Sequence, residues 1–136
     1  MKKFLLLLLF LPALAFAQNN PGFAIYRNTG QYNAPVTLKA ASSAVFGFTF
    51  INVNTVPVYL KFYNQGTSTV VGVSAPQATV MIPAGDGTTP GAVYCAPGSV
   101  SWQYFQSSLT VAAVTGIADS STASPATAIY VEVYFK

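Results

Sequence analysis

The amino-acid sequence predicts an all-β protein, a single antiparallel β-sandwich of about eight or nine short strands with Greek-key or jelly-roll connectivity. Runs of β-branched and aromatic residues recur along the chain, and turn-forming residues separate them. No segment after the N-terminal leader has a sustained helical period. Because neither an internal repeat nor a linker divides the chain, we expect one sandwich domain over residues 35–136.

The first 17 residues have the three parts of a secretory signal peptide. Lys2 and Lys3 form a basic start, residues 4–11 form an apolar run, and a small-residue cleavage site ends at Ala17. We therefore predict an N-terminal signal helix, cleavage after Ala17, and a secreted, periplasmic or cell-surface location. The apolar run is shorter than the roughly 20 residues of a membrane-spanning helix, so no stable membrane span is expected; a retained anchor is the alternative.

Residues 18–34 are rich in Asn, Gln and Gly and contain one compact apolar patch, from Phe23 to Tyr26. This composition predicts an N-terminal arm or irregular lead-in, with an edge strand as the alternative. In an assembly, such an arm could reach a neighbouring subunit. Alternation over residues 35–40 predicts the first core strand.

The strongest strand signal is the stretch from Val45 to Asn64, VFGFTFINVNTVPVYLKFYN. It predicts a hairpin of two strands, because turn-forming residues lie between two apolar runs. In the first strand the phenylalanines at 46, 48 and 50 share one face. In the second strand, an apolar row alternates with a row formed by Tyr59, Lys61 and Tyr63. We expect this second row to be exposed and to face a partner.

The remainder of the chain predicts further short strands at residues 69–73, 78–83, 93–95, 109–114 and 128–136. Trp102 and Tyr104 lie between two of these and are further candidates for an interaction surface. Their alternative roles are core or inter-subunit packing and a platform for sugars.

Cys95 is the single cysteine, so no disulfide can form within the chain. We expect it to be a small buried apolar residue, with an intermolecular disulfide as the alternative.

The ionisable residues do not form a catalytic pattern. The chain has no histidine, and its only acids are Asp86, Asp119 and Glu132. This composition excludes Ser/His/Asp and Cys/His systems and histidine metal sites. One carboxylate in each loop is also too few for calcium. We therefore predict no enzyme activity, metal or cofactor, and expect Glu132 to point outward and pair with Lys61 or Lys39.

Five segments follow one another in a recognisable order: VFGFTFINVN at 45–54, YLKFYN at 59–64, GVSAPQATVMIPAG at 72–85, FQSSLTVAAVTGIADSS at 105–121 and VEVYFK at 131–136. In these segments the chain resembles a family of small β-sandwich proteins associated with tailed phages and prophages. The resemblance implies a virion-associated or surface structural component. The predicted signal peptide, in contrast, favours an exported protein over intracellular virion assembly.

Charged residues make up 7% of the chain and aromatic residues 14%, whereas soluble domains usually carry about 25% charged residues. With the resemblance, this composition predicts a non-catalytic structural or interaction subunit that assembles or decorates a surface. Its expected partners are copies of itself or other surface or virion proteins. A carbohydrate-binding, adhesin-like module is the alternative. The basic residues after the leader are scattered, so nucleic-acid binding is not expected.

Overall fold

The computed structural model describes residues 22–136, and the predicted signal helix lies outside them. The described residues form two antiparallel sheets that pack together, which confirms the predicted all-β sandwich. They contain nine strands: β1 (Ala24–Gln31), β2 (Val36–Lys39), β3 (Ser43–Asn52), β4 (Val58–Tyr63), β5 (Ala78–Ile82), β6 (Gly91–Cys95), β7 (Gln103–Phe105), β8 (Leu109–Val114) and β9 (Ile129–Phe135).

The strand order is β1-β9-β3-β6 in sheet I, where β7 also pairs with β3, and β2-β8-β4-β5 in sheet II. The core lies between the sheets. Alternation along β4 directs Val58, Leu60 and Phe62 inward, and the apolar row of β9 meets them from the other sheet. The core is therefore formed by the apolar residues that the predicted two-residue alternation turns inward.

The predicted hairpin between β3 and β4 is wrong. β3 pairs with β6, β7 and β9 in sheet I, whereas β4 pairs with β5 and β8 in sheet II. The buried Asn52 explains the difference, because its amide donates to the carbonyls of Val56 and Pro83, each at 2.9 Å. These bonds stabilise a crossover between the two sheets instead of a turn that returns within one sheet.

The predicted grouping of Phe46 with the core phenylalanines is also wrong. The β3–β9 register shifts between Val45 and Gly47, which is the signature of a β-bulge. The extra residue reverses the alternation, so Val45, Phe48 and Phe50 are buried together while Phe46 leaves the core. A β-carbon at Gly47 would lie 2.6 Å from the Pro97 nitrogen, so the bulge requires glycine there.

Residues 69–73 form turns, and the strand predicted there is wrong. Thr69 donates its backbone N–H to the Gly66 carbonyl at 3.0 Å, and Val73 donates to the Val70 carbonyl at 3.1 Å. Gly72 adopts a φ of 86°, which an extended strand does not allow. Local turn bonds therefore satisfy this backbone, and both Val70 and Val73 are left exposed.

Of the alternatives for residues 18–34, the described part contains the edge strand. β1 pairs along β9 at the edge of sheet I, from Ala24 opposite Phe135 to Gln31 opposite Ile129. On its inner side the Tyr26 hydroxyl donates to Oε1 of the buried Gln31 at 3.2 Å. Polar contacts of this kind let a segment with few apolar residues pack against the sandwich.

Candidate interaction surface

The outer face of sheet II is covered by the protein's own chain over β4 and β8, whereas Met81 of β5, opposite Tyr59, is 53% exposed. Lys61 and Tyr63 point to this side, and both are fully buried. The Lys61 ammonium donates to the carbonyl oxygens of Ala118 at 2.5 Å and Asp119 at 3.3 Å, so the β8–β9 loop lies across the strand. The prediction that Lys61 and Tyr63 face a partner is therefore wrong, while Tyr59, on the same side of β4, is half-buried.

Burial sets the electrostatics of this covered face. Removal from water lowers the pKa of Lys61, because burial disfavours the charged ammonium, and the nearby Asp119 opposes this shift. Burial also raises the pKa of Tyr63. Lys61 thus attaches the loop to the sheet, whereas the buried Tyr63 hydroxyl has no hydrogen-bond partner in the described residues.

The outer face of sheet I is open in the described structure. Pairing registers place four residues in one row across the sheet, in the order Arg27 on β1, Glu132 on β9, Thr49 on β3 and Tyr94 on β6. Two more tyrosines flank Glu132 along β9. We call this surface the tyrosine face, and it consists of Arg27, Thr49, Tyr94, Tyr130, Glu132 and Tyr134.

Glu132 is the buried centre of the tyrosine face. Its Oε2 accepts hydrogen bonds from Arg27 Nε at 2.5 Å and from the Tyr130 hydroxyl at 2.7 Å, and its Oε1 accepts from the Tyr134 hydroxyl. The bond from Tyr134, together with those from Arg27 and Tyr130, lowers the pKa of Glu132 to about 2. The same bonds raise the pKa of both tyrosines.

The predicted pairing of Glu132 with Lys61 or Lys39 is wrong. Both lysines lie on strands of sheet II, whereas Arg27 is directly opposite Glu132 on the neighbouring strand of sheet I. The cross-strand position brings Arg27 into contact with Glu132, because opposite residues of an antiparallel pair share one face.

The edges of the tyrosine face are accessible. Arg27 contacts Glu132 through Nε, while 62% of its side chain is exposed. Tyr94, at the opposite edge, is 68% exposed. An arginine and a tyrosine, two of the residue types enriched at the centre of protein interfaces, are thus available on either side of a carboxylate whose hydrogen bonds are satisfied.

Aromatic residues continue beyond one end of the tyrosine face. The Phe23 and Phe46 rings lie 4.9 Å apart, and the Lys136 ammonium is 4.8 Å from the centre of the Phe23 ring. Tyr104, opposite Ala44 on β3, is 53% exposed on the same side of the sheet. Of the residues predicted to form an interaction surface, Tyr104 is therefore the one adjacent to this face.

Trp102 lies at the margin of the core and is 37% exposed. Its ring makes edge contacts with Phe48 of sheet I at 5.1 Å and with Phe62 of sheet II at 5.2 Å. It therefore closes the sandwich at one side by joining the two sheets.

Asp86 lies in a local turn between β5 and β6. Asp86 accepts hydrogen bonds from the Thr89 backbone and from the Thr88 hydroxyl and backbone, which lower its pKa to about 2 and complete this turn. A cavity of ≈ 60 Å³ lies beside this turn, far below the roughly 300 Å³ of the smallest ligand pockets. Residues 22–136 contain no cluster of three metal-ligating side chains and no helix that could cross a membrane.

No protein-family model, curated protein or solved structure matches this chain. The resemblance to phage-associated β-sandwich proteins thus stays a prediction. The fold and the surfaces described above are the basis for a functional proposal.

Part of the tyrosine face could be recognised in the sequence. The alternation in AIYVEVYFK places Tyr130, Glu132 and Tyr134 in one row, but it does not show which sheet face stays open. Arg27 and Tyr94 carry no sequence signal that connects them with this row. Their positions depend on the pairing of β1 with β9 and of β6 with β3.

The Glu132 cluster should make the stability of the protein sensitive to acid. Because its folded pKa of about 2 is below its ordinary value of 4.5, its contribution is present above pH 4.5 and is lost as the pH falls through 2. We expect a loss of about 1 kcal/mol from this group, with allowance for solvent at Arg27. Urea unfolding at several pH values should show a shallower acid slope for Glu132→Gln than for the native chain.

The low pKa of Asp86 also makes stability fall in acid, both in the native chain and in the Glu132→Gln variant. The comparison is therefore repeated with Asp86→Asn added to both, which serves as the control. Identical acid slopes for the native chain and Glu132→Gln would contradict the role of this cluster.

Proposed function

We propose that this protein is a non-catalytic structural or interaction subunit that binds a partner protein through the tyrosine face. The observation that carries the proposal is the asymmetry of the two sheets. Over β4 and β8 the outer face of sheet II is buried, with the β8–β9 loop bound to Lys61, whereas sheet I exposes Arg27 at one edge and Tyr94 at the other. Tyrosine and arginine are enriched, and charged residues are depleted, at the centre of protein interfaces.

The chemistry of Glu132 supports a structural role for this face. Three donors hold the carboxylate in its ionised form, and its low pKa removes it from proton transfer near neutral pH. The bonds also fix the positions of Tyr130 and Tyr134. A surface that is organised in this way before binding loses little side-chain entropy when a partner arrives.

The proposed setting is outside the cytoplasm, as a secreted, periplasmic or cell-surface subunit or as a virion component. The leader over residues 1–17 supports export, and the low charge of the chain supports packing against other proteins. The five segments that resemble phage-associated proteins support the virion alternative.

Hydroxyl-radical footprinting tests this proposal. The protein is labelled once as the isolated chain and once in its source cells, and the oxidation of individual tyrosines is measured by mass spectrometry. We expect Tyr94, the most exposed tyrosine of the face, to be protected severalfold in the cells. Tyr32, which is also exposed but lies outside the tyrosine face, is the matched control.

Equal oxidation of Tyr94 in the two settings would overturn the proposal. Addition of isolated cell-surface polysaccharides to the pure protein separates protein partners from glycans. Protection by polysaccharide alone would support the carbohydrate-binding alternative and count against a protein partner.

A further inference from the structure

We infer that the partner on the tyrosine face is the same face of a second copy, in a two-fold symmetric and reversible dimer. This inference rests on the proposed function and adds the identity of the partner. It depends on the order of the four residues in the row across sheet I, which is Arg27, Glu132, Thr49 and Tyr94.

The row is self-complementary. A two-fold axis that runs parallel to the strands, between β9 and β3, reverses the order of the row in the second copy. Arg27 then lies over the partner's Tyr94, and Tyr94 lies over the partner's Arg27. Guanidinium groups stack well on tyrosine rings, so the same favourable contact forms twice.

The central pair of the row is compatible with this arrangement. The same operation places Glu132 over the partner's Thr49, so no two like charges face each other. Glu132 is already buried and bound by three donors in a single chain. Stacking of the two faces therefore buries no unpaired carboxylate, which would otherwise oppose association.

The dimensions of the face indicate how strong the dimer is. Four strands about 4.8 Å apart and roughly seven residues of β9 at about 3.3 Å each give a patch of about 20 by 20 Å with its side chains. A patch of this size covers about 400 Å², about half of the roughly 800 Å² that each partner buries in a standard specific interface, which places it among weak, transient interfaces. We therefore expect a dimer that dissociates on dilution, in the micromolar range.

Sedimentation velocity of the purified exported protein, without the predicted leader over residues 1–17, tests the inference from about 1 μM to about 1 mM. We expect the native protein to shift from monomer to dimer and no further. Tyr94→Lys places a cation against the partner's Arg27 and should weaken the dimer at least about tenfold. Tyr94→Glu places an anion there and should retain the dimer at low salt. Tyr32→Ala is the control for loss of an exposed tyrosine and should leave the dimer unchanged.

The opposite responses to Lys and Glu separate this geometry from a general apolar contact, which either charge would weaken. A native protein that stays monomeric at about 1 mM would overturn the inference, and so would equal dimerisation of the Tyr94→Lys and Tyr94→Glu variants. If Tyr94→Lys failed to fold, loss of the dimer in a folded Tyr94→Glu variant would also overturn it. A strict monomer whose Tyr94 is still protected in source cells would leave the proposed function standing with a different partner.

Discussion

Replacement of Asn52 by alanine should lower the free energy of unfolding by about 3–5 kcal/mol, a large share of the roughly 5–15 kcal/mol that stabilises a typical domain. Asn52 is fully buried at the crossover between the two sheets. Its amide donates to the Val56 and Pro83 carbonyls, and its Oδ1 accepts from the Asn54 backbone at 2.9 Å and from the Asn54 side chain at 2.8 Å.

The large effect follows from the groups that the substitution would leave behind. Alanine provides none of the four bonds, and the N–H of the buried Asn54 is left without its partner, which costs about 1–3 kcal/mol. Loss of the fully buried side chain itself leaves a cavity, which adds to this cost. The consequences extend to Asn54, whose side chain also binds both the N–H and the carbonyl of Thr127, two residues before β9. Loss of Asn52 therefore loosens the crossover and the entry to the final strand together.

Urea unfolding followed by Trp102 fluorescence should measure this change, because the Trp102 ring contacts both sheets. Asn33→Ala is the matched control, since the half-buried Asn33 makes one side-chain bond, to the Thr122 carbonyl at 2.9 Å. We expect this control to cost less than about 1 kcal/mol. A similar small loss for Asn52→Ala would contradict the structural role of the asparagine crossover.

The Gly91→Ala substitution should be the second most damaging change, with an expected loss of about 3 kcal/mol. A β-carbon at Gly91 would lie 2.1 Å from the Pro83 carbonyl oxygen and 2.6 Å from the Pro83 carbonyl carbon. Both atoms belong to the backbone, so no flexible side chain can move aside. Gly91 begins β6 in sheet I, and Pro83 directly follows β5 in sheet II. The substitution would therefore force the two sheets apart at one edge.

Gly98→Ala provides the control for Gly91→Ala. A β-carbon at Gly98 would have its nearest neighbour, the Val100 nitrogen, at 4.0 Å, so we expect a change within about 0.5 kcal/mol. The two variants are compared by thermal unfolding and by the yield of soluble protein. Equal stability of Gly91→Ala and Gly98→Ala would show that the edge between the sheets tolerates a wider spacing.

The alternation of apolar and polar residues along single strands made much of the fold predictable. In β4 and β9 the apolar row of the sequence is the row that the sandwich buries. The same rule failed at Phe46, because the bulge before Gly47 adds one residue and reverses the faces of β3. The bulge depends on the neighbouring strand and on the Pro97 backbone near Gly47. Neither contact can be predicted from the alternation of residues within β3.

The tyrosine face shows the same limit for a functional surface. Alternation predicts that Tyr59, Lys61 and Tyr63 share one side of β4, and equally that Tyr130 and Glu132 share one side of β9. Local sequence treats these two rows as equivalent. The β8–β9 loop covers the first row through Lys61, whereas nothing in residues 22–136 covers the second to the same extent.

The amino-acid sequence by itself determined the all-β class, most strand positions and the inward row of each regular strand, because these depend on the two-residue period of an extended backbone. Tertiary structure alone decided that β3 and β4 lie in different sheets, that Arg27 neutralises Glu132, and that sheet I presents the open face. These features arise from contacts between residues distant in sequence, since register, crossover and loop position are set by the partner strand and not by the segment itself.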